Sequence, residues 1–429
     1  MFFDWIYRLI NWLRQRPLVF FVIAHAILFL AVFANLDYLV GGNSFERSFA
    51  IKILDGMVPY SDFSSEYPPL ALLTFLVPAL LTTTQPLYDI LFAVEIYLLD
   101  LIVLLILTKL TSRFNFKIWP VLGMYTLCLI AVGPIVTGRF DLLPATLVII
   151  ALYAFVSGRN KTAWCFLALG ATAKLYPLII APLFFLYLVR QRYYRRLVQG
   201  IAVFACVVIV LNLPWIIINW DGYCNLNNDT SFLGYHVARG LHSESIYGSI
   251  ILIGQLMGLT QVDAGMQYGS WDITSPIADS IANYSFYITV ALLSLLYFMY
   301  MRMLLRRPRK TYEKWFFDTE LVQLILRYSI LAILIMLLTS KVFSPQFLIW
   351  LCPLIPLVRT RWSYIPLFLF LIAGAITQYI YPHNYIEFEL FTPYLVLLHA
   401  VRNWLLVIMA LMYILPLSGT PVEMEKDTE

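Results

Sequence analysis

Long apolar runs recur along almost the whole chain and leave few folds open to it. Of its 429 residues, 61% are hydrophobic and only 13% are charged, whereas a soluble domain carries about 25% charged residues. The mean hydropathy is +0.79. Because about 20 apolar residues are enough to cross a bilayer, this pattern predicts an all-α polytopic membrane protein.

The apolar runs are separated well enough for individual spans to be placed. We predict spans at 18–36, 86–108, 118–136, 142–158, 162–173, 176–190, 196–219, 284–304, 320–339, 345–358, 363–382 and 393–415, which makes about 12 transmembrane helices. The runs 162–173 and 176–190 are too short to cross unaided, so we interpret them as one broken pair that turns at Lys174. Pro68–Leu81 and Ile246–Leu259 are predicted to be juxtamembrane or re-entrant helices.

The distribution of charge orients these spans. Most Lys and Arg residues fall in alternate loops, which the positive-inside rule assigns to the cytoplasm. Both termini are then cytoplasmic, and two long loops, 37–70 and 220–283, are extracytoplasmic. Residues 1–416 are predicted to form a single membrane domain, and 417–429 to form a cytoplasmic tail.

The first outer loop is rich in carboxylates. Ser44–Leu54 has apolar residues at helical spacing and contains Glu46. Asp62 and Glu66 follow, one helical turn apart if that segment is helical. A carboxylate in this loop is a candidate general base that would deprotonate an acceptor hydroxyl. The alternative is a solvated interfacial helix with exposed acids.

Charged residues also lie at the predicted ends of spans. Arg139 and Asp141 open a span, where an ion pair between them would either orient a ligand or anchor the helix. Asp141 also suits a helix N-terminus. Lys174 lies between two apolar half-segments, which is costly unless it is paired or faces a polar cavity. It would bind the phosphate of a lipid carrier. Alternatively, it forms an internal ion pair, for instance with Asp89, Glu95 or Asp100.

The second outer loop and a later connection add further cations. Residues 235–245 contain Arg239, His242 and Glu244, and an arginine binds phosphate in a bidentate fork. His236, His242 and Glu244 could together bind a metal, but their spacing matches no standard metal motif. Lys341 lies between two spans on the predicted outside, where it either joins a site or snorkels.

Several classes of function are disfavoured by missing motifs. The chain has no Walker lysine loop, no GxGxxG dinucleotide motif and no HExxH. It also has no broad basic surface of the kind that binds nucleic acid. These absences disfavour a soluble nucleotide-sugar enzyme and a nucleic-acid-binding protein.

Several segments, taken together, resemble the GT-C superfamily of membrane glycosyltransferases that use polyprenyl-phosphate sugars. Lys174–Pro177 and Ser340–Trp350 resemble the first GPI mannosyltransferase. Four other segments resemble the bacterial branch that includes the phosphatidylinositol-mannoside mannosyltransferase. They are Gly56–Phe63, Glu66–Pro69, Arg139–Asp141 and Arg239–Ser245. The matching segments run in family order across residues 40–360.

The resemblance implies the function. A hexose, mannose in particular, would move from a polyprenyl-phosphate donor to a lipid or glycan acceptor, with inversion, at an extracytoplasmic active site in contact with membrane lipids. A first-loop carboxylate would be the base. Gly42 stands where the bacterial pattern has an aspartate, and Asp37 is not part of a DxD motif. Glu46 is therefore the first candidate base, followed by Asp62 and Asp37.

The remaining site residues follow from the same resemblance. The candidates for binding the donor phosphate are Lys174, Arg239 and Lys341, and those for binding substrate are Arg139, Asp141, Tyr60, Glu66, His242, Glu244 and Gln346. No cofactor or metal is obligatory, and dependence on a divalent metal stays open. A transporter or flippase of a lipid-linked glycan is one alternative, although the chain shows no repeated halves. A catalytically inactive GT-C homologue is the other.

Overall fold

The computed structural model describes residues 11–33, 44–307, 317–358 and 364–415. Helices make up 76% of the structure. The α-helices are Pro17–Phe33, Ser44–Leu54, Pro69–Ala79, Leu87–Phe114, Ile118–Val132, Ile135–Gly138, Leu142–Val156, Asn160–Ala173, Ala181–Gln191, Tyr194–Ile218, Trp220–Cys224, Phe232–Ala238, Ile246–Leu256, Pro276–Arg306, Thr319–Thr339, Tyr364–Gln378, Tyr385–Glu389 and Pro393–Ile414. Tighter 3₁₀ turns cover Tyr176–Ile180, Pro345–Leu351 and Ile355–Leu357, and a π-turn covers Tyr379–His383.

Six of the described helices are long and apolar enough to cross a membrane. They are Leu87–Phe114, Tyr194–Ile218, Pro276–Arg306, Thr319–Thr339, Tyr364–His383 and Pro393–Ile414. The polytopic all-helical architecture is confirmed, but the expected number of about 12 spans is not, because other apolar helices are shorter. The most apolar stretch of Thr319–Thr339 is 78% buried, so this helix is central. The corresponding stretch of Tyr194–Ile218 is 0% buried, so this helix faces lipid.

The predicted break at Lys174 is present. The helix Asn160–Ala173 ends there because Lys174 has an extended backbone, with φ −158° and ψ 144°. The chain continues through the 3₁₀ turn Tyr176–Ile180, with Pro177 in its first turn, into Ala181–Gln191. The side chain of Lys174 is thereby placed at a corner between two half-helices.

The two long loops pack against each other. The backbone carbonyl of Tyr60 accepts a hydrogen bond of 3.3 Å from the side-chain amide of Asn219. A Cβ atom added at Gly222 would lie 1.7 Å from that same carbonyl oxygen. Only glycine therefore permits this approach, which joins the segment after Ser44–Leu54 to the loop that follows Tyr194–Ile218.

A small antiparallel sheet in the second loop was not predicted. Its strands are β1 (Leu241–His242), β2 (Asp263–Gln267) and β3 (Ser270–Thr274), and β3 lies in the middle. Tyr268 and Gly269 connect β2 to β3 with φ values of 46° and 69°. Two consecutive residues with positive φ form the tight turn typical of a two-residue hairpin.

Polar residues buried among the apolar helices bond to one another. Nδ1 of His25 lies 2.7 Å from the carboxylate of Asp100, which also accepts a 2.7 Å hydrogen bond from the hydroxyl of Tyr125. Nε2 of His25 lies 2.8 Å from the hydroxyl oxygen of Thr126. This network connects Pro17–Phe33 to the bundle, as expected for polar groups shielded from lipid.

Candidate active site

The first ion pair of the site joins Glu46 to Arg139. Nη1 of Arg139 lies 3.3 and 3.4 Å from the two carboxylate oxygens of Glu46, and Nη2 donates to the hydroxyl oxygen of Tyr381 at 3.4 Å. The side chain of Glu46 is 0% exposed. Burial raises the pKa of Glu46, and the positive charge of Arg139 opposes that rise.

The second ion pair joins Asp141 to Lys174. Oδ1 of Asp141 accepts hydrogen bonds from Nζ of Lys174 at 2.6 Å and from the indole nitrogen of Trp350 at 2.7 Å. The ammonium group also lies 4.8 to 5.2 Å from the ring centroids of Phe140, Phe347 and Trp350. Cation–π contacts and a carboxylate thus surround Lys174.

These pairings differ from those considered from the sequence. Arg139 and Asp141 do not pair with each other, because each binds a residue from a distant segment. Lys174 forms the internal ion pair that was the alternative to phosphate binding, but its partner is Asp141 and not one of the examples Asp89, Glu95 and Asp100.

Glu66 lies near two cations that come from separate segments. Burial raises the pKa of the Glu66 carboxyl above its usual 4.5, and the positive charges of Arg239 and Lys174 oppose this rise. Nε2 of His236 donates to the backbone carbonyl of Glu66 at 3.1 Å. The pKa of His236 is lowered to about 4, first by burial and then by Arg239, with a contribution from Lys174. Lys174 and Arg239 therefore act on the same small region.

Arg239 differs from Arg139 and Lys174, each of which is paired with a carboxylate. Among the described residues, no carboxylate oxygen lies within 4.0 Å of its guanidinium, and its Nε is buried without a hydrogen-bond partner. The guanidinium carbon lies 5.6 Å from the ring centroid of Tyr235. Nζ of Lys341 donates to the backbone carbonyls of Val237 and Arg239 at 2.8 and 2.5 Å. Lys341 thus holds the backbone that carries Arg239.

His242 and Glu244 lie in a closed network behind this loop. Nδ1 of His242 donates to the carbonyl of Phe343 at 2.8 Å, and burial, followed by the charge of Arg239, lowers the pKa of His242 to about 3. Nη2 of Arg402 lies 3.4 Å from Oε2 of Glu244. Burial raises the pKa of Glu244 to about 7, and Arg402 opposes the rise.

Arg402 was not among the residues predicted to be functional. It lies in the apolar helix Pro393–Ile414, is 1% exposed, and contacts His399 and the loop residue Glu244. A charged residue inside a predicted span was the available signal, because such residues face partners and not lipid. The network places both predicted substrate-binding residues, His242 and Glu244, away from open solvent.

Asp62 and Tyr60 lie apart from the two ion pairs. Asp62 is exposed, and its Oδ2 accepts a 2.7 Å hydrogen bond from the backbone N–H of Val58. Both residues line a polar cavity of about 370 Å³ that also contains Asp221. Tyr60 is itself buried, and its hydroxyl donates to the carbonyl of Tyr67 at 2.6 Å.

The last two residues that were predicted to belong to the site are Gln346 and Asp37. Gln346 is half-buried in the 3₁₀ turn Pro345–Leu351, and its side chain makes no hydrogen bond to the described residues. Asp37 lies outside the described residues. In the part of the chain that the structure describes, no group of three or more His, Cys, Asp or Glu side chains is arranged to hold a metal ion.

The fold and the site define a polytopic membrane protein with a charged, partly buried centre at one end of its helices. Residues 66–266 match the model of glycosyltransferase family 87, a GT-C type family of membrane glycosyltransferases. The match covers a little under half of the chain and includes Glu66, Arg139, Asp141, Lys174 and Arg239. No curated protein matches the sequence. Over these residues the chain is similar to a family of GT-C type membrane glycosyltransferases.

Proposed function

We propose that the protein transfers a hexose, specifically mannose, from a polyprenyl-phosphate donor to a lipid or glycan acceptor. The transfer takes place on the extracytoplasmic side and inverts the anomeric carbon. The observation that carries this proposal is that the charges of Lys174 and Arg239, which come from separate segments, both act on Glu66 and on His236, whose ring donates to the Glu66 carbonyl at 3.1 Å. Two cations at the end of a membrane bundle suit a phosphate that is attached to a lipid.

The cations of this region have different roles in the proposed reaction. Arg239 binds the donor phosphate directly, because its guanidinium has no carboxylate partner among the described residues. Lys174 adds positive charge nearby while it remains bonded to Asp141. Lys341 supports the Arg239 backbone. Preorganised positive charge stabilises the lipid phosphate as it leaves, so the proposed step has no obligatory need for a cofactor or metal.

The other predicted residues lie around the proposed phosphate site and hold either the loops or the acceptor. The pair Glu46–Arg139 fixes the first loop against the start of the helix Leu142–Val156. The polar cavity beside Asp62 and Tyr60 accommodates part of a glycan acceptor. Gln346, in the 3₁₀ turn Pro345–Leu351, offers a half-buried amide to the substrates. His242 and Glu244 support the substrate site through the loop that carries Arg239.

Reconstitution of the full chain in liposomes tests the proposed function. We expect transfer from polyprenyl-phosphate mannose, little transfer from the glucose or galactose analogue, and release of polyprenyl phosphate in equal amount. The anomeric configuration of the product, measured by NMR, should be opposite to that of the donor. Failure of every lipid-phosphate hexose to give product with any lipid or glycan acceptor would contradict the proposal.

The proposed orientation predicts the labelling of single cysteines. In a variant without native cysteines, Asp229→Cys should react from outside intact cells with a membrane-impermeant maleimide, because residue 229 is exposed in the second long loop. Tyr193→Cys should react only after permeabilisation. The reverse labelling pattern would place the candidate site on the cytoplasmic side and contradict the orientation.

A further inference from the structure

We infer that Glu66 is the general base of the proposed transfer. This inference rests on the proposed function, and it assigns the proton acceptor to a residue other than Glu46, Asp62 or Asp37. Glu66 is half-buried, and no described cation lies within 4.0 Å of its carboxylate, yet it lies near both Lys174 and Arg239.

Glu46 and Asp141 are enclosed and already paired. Glu46 is 0% exposed and Asp141 is 1% exposed. Both oxygens of Glu46 face Arg139, while Lys174 and Trp350 both donate to Oδ1 of Asp141. These two carboxylates serve as counter-ions for buried cations, and an acceptor hydroxyl reaches neither of them in this arrangement.

Three further carboxylates are engaged elsewhere. Asp272 is 1% exposed and accepts hydrogen bonds from the N–H of Gly240 at 3.1 Å and the hydroxyl of Ser270 at 2.8 Å. Glu244 is enclosed in the network behind the loop. Asp62 is exposed but accepts a backbone hydrogen bond within its own turn, in the separate polar cavity. The Glu66 carboxylate also accepts hydrogen bonds, from its own backbone N–H and from Tyr67, but among the described residues it is the half-buried carboxylate on which both cations act and which no cation approaches within 4.0 Å.

The structure also fixes the position of Glu66. Pro68 and Pro69 follow it closely and begin the helix Pro69–Ala79, which restricts the backbone. His236 holds its backbone carbonyl, and the hydroxyl of Tyr67 interacts with its carboxylate. A carboxylate on a restrained backbone, close to a substrate, meets the geometric requirement for a general base.

In the proposed step, the acceptor hydroxyl oxygen forms a bond to the anomeric carbon while its proton moves to the carboxylate of Glu66. The bond between the anomeric carbon and the phosphate oxygen breaks, and its electron pair leaves with the lipid phosphate towards Arg239 and Lys174. Attack opposite to the leaving phosphate inverts the anomeric carbon. No oxidant, reductant or further reactant is needed.

If Glu66 is the base, its protonation should lower the rate at acid pH, and a purely structural role would not produce that pH dependence. The titratable and charged groups that face it are Tyr67, Lys174, Tyr235, His236 and Arg239. Since burial raises the pKa of Glu66 above 4.5, the active carboxylate form is lost as the pH falls through a value above 4.5. The parent enzyme should therefore show an acid limb in kcat/KM above pH 4.5.

The decisive variant is Glu66→Gln, which keeps the size of the side chain and removes the base. Because no described cation pairs with Glu66 within 4.0 Å, the fold should tolerate the change. We expect turnover to fall by about 10²–10⁴, donor binding to be unchanged, and the acid limb to disappear. Glu66→Asp should restore part of the rate together with the acid limb. Asp55→Asn, an exposed carboxylate of the same loop, is the matched control and should keep parental activity.

The outcomes separate this inference from the proposed function. A parent enzyme that transfers no sugar would contradict the function, and the base assignment with it. An active parent with a Glu66→Gln variant that keeps both the parental rate and the acid limb would contradict the base assignment alone. Loss of the acid limb in Glu46→Gln but not in Glu66→Gln would likewise overturn it and make Glu46 the base.

Discussion

Arg239→Ala is expected to reduce turnover by about 10²–10³, the usual cost of removing one preorganised donor that stabilises developing charge. The guanidinium has no carboxylate partner among the described residues, so its loss should leave the thermal stability close to that of the parent. Donor binding should weaken as well, because the phosphate carries charge before and after the transfer. Turnover and the binding of polyprenyl-phosphate mannose, measured on the same reconstituted sample, check both effects.

Two further variants show whether the arginine acts on phosphate. Arg239→Lys keeps the charge but not the bidentate fork, and it should recover only part of the lost rate. Lys52→Ala removes a first-loop cation that lies over the rings of Phe49 and Phe63, and it should keep donor affinity. Parental donor affinity in Arg239→Ala would place the phosphate elsewhere.

Local patterns were enough to predict many helices. The amphipathic spacing in Ser44–Leu54 predicted a helix with the observed bounds. The break between Ala173 and Tyr176 was predicted because a lysine followed by a Tyr-Pro pair interrupts an apolar run. Each of these patterns lies within one short segment. It predicts the local structure correctly because the tertiary contacts of that segment favour the same conformation.

The partners within the site could not be predicted from local patterns. Arg139 and Asp141 are two positions apart, yet they bind residues 93 and 33 positions away. The choice of partner depends on which helices meet at this corner, and a single sequence does not specify those contacts. Arg402 is a similar case, since its charge indicated a partner but not that the partner would be Glu244.

The hairpin of β2 and β3 was missed for a different reason. Its strands are five residues each, lie within a loop rich in polar residues, and have only a weak alternation of burial. The turn at Tyr268–Gly269 uses a tyrosine at positive φ, where asparagine or aspartate would have been a stronger signal. Pairing with β1, more than 20 positions earlier in the chain, completes the sheet.

The largest effect on stability is expected from breaking the ion pair Asp141–Lys174. Single and double variants of this pair separate that effect from an effect on donor binding. Lys174→Met or Asp141→Asn alone leaves one buried charge without its counter-ion, which should reduce stability by about 3–5 kcal/mol. The double variant removes both charges and should recover much of that loss, so the two single effects are not additive. Thermal unfolding in detergent, with the parent and all three variants, measures this coupling.

The same double variant tests the contribution of Lys174 to donor binding. If Lys174 adds positive charge to the phosphate site, the double variant should fold like the parent but bind polyprenyl-phosphate mannose more weakly. Recovery of both stability and donor affinity would show that Lys174 acts only as the counter-ion of Asp141. Independent, additive losses of stability in the two single variants would contradict the ion pair itself, because residues bonded at 2.6 Å within one enclosed network are expected to couple.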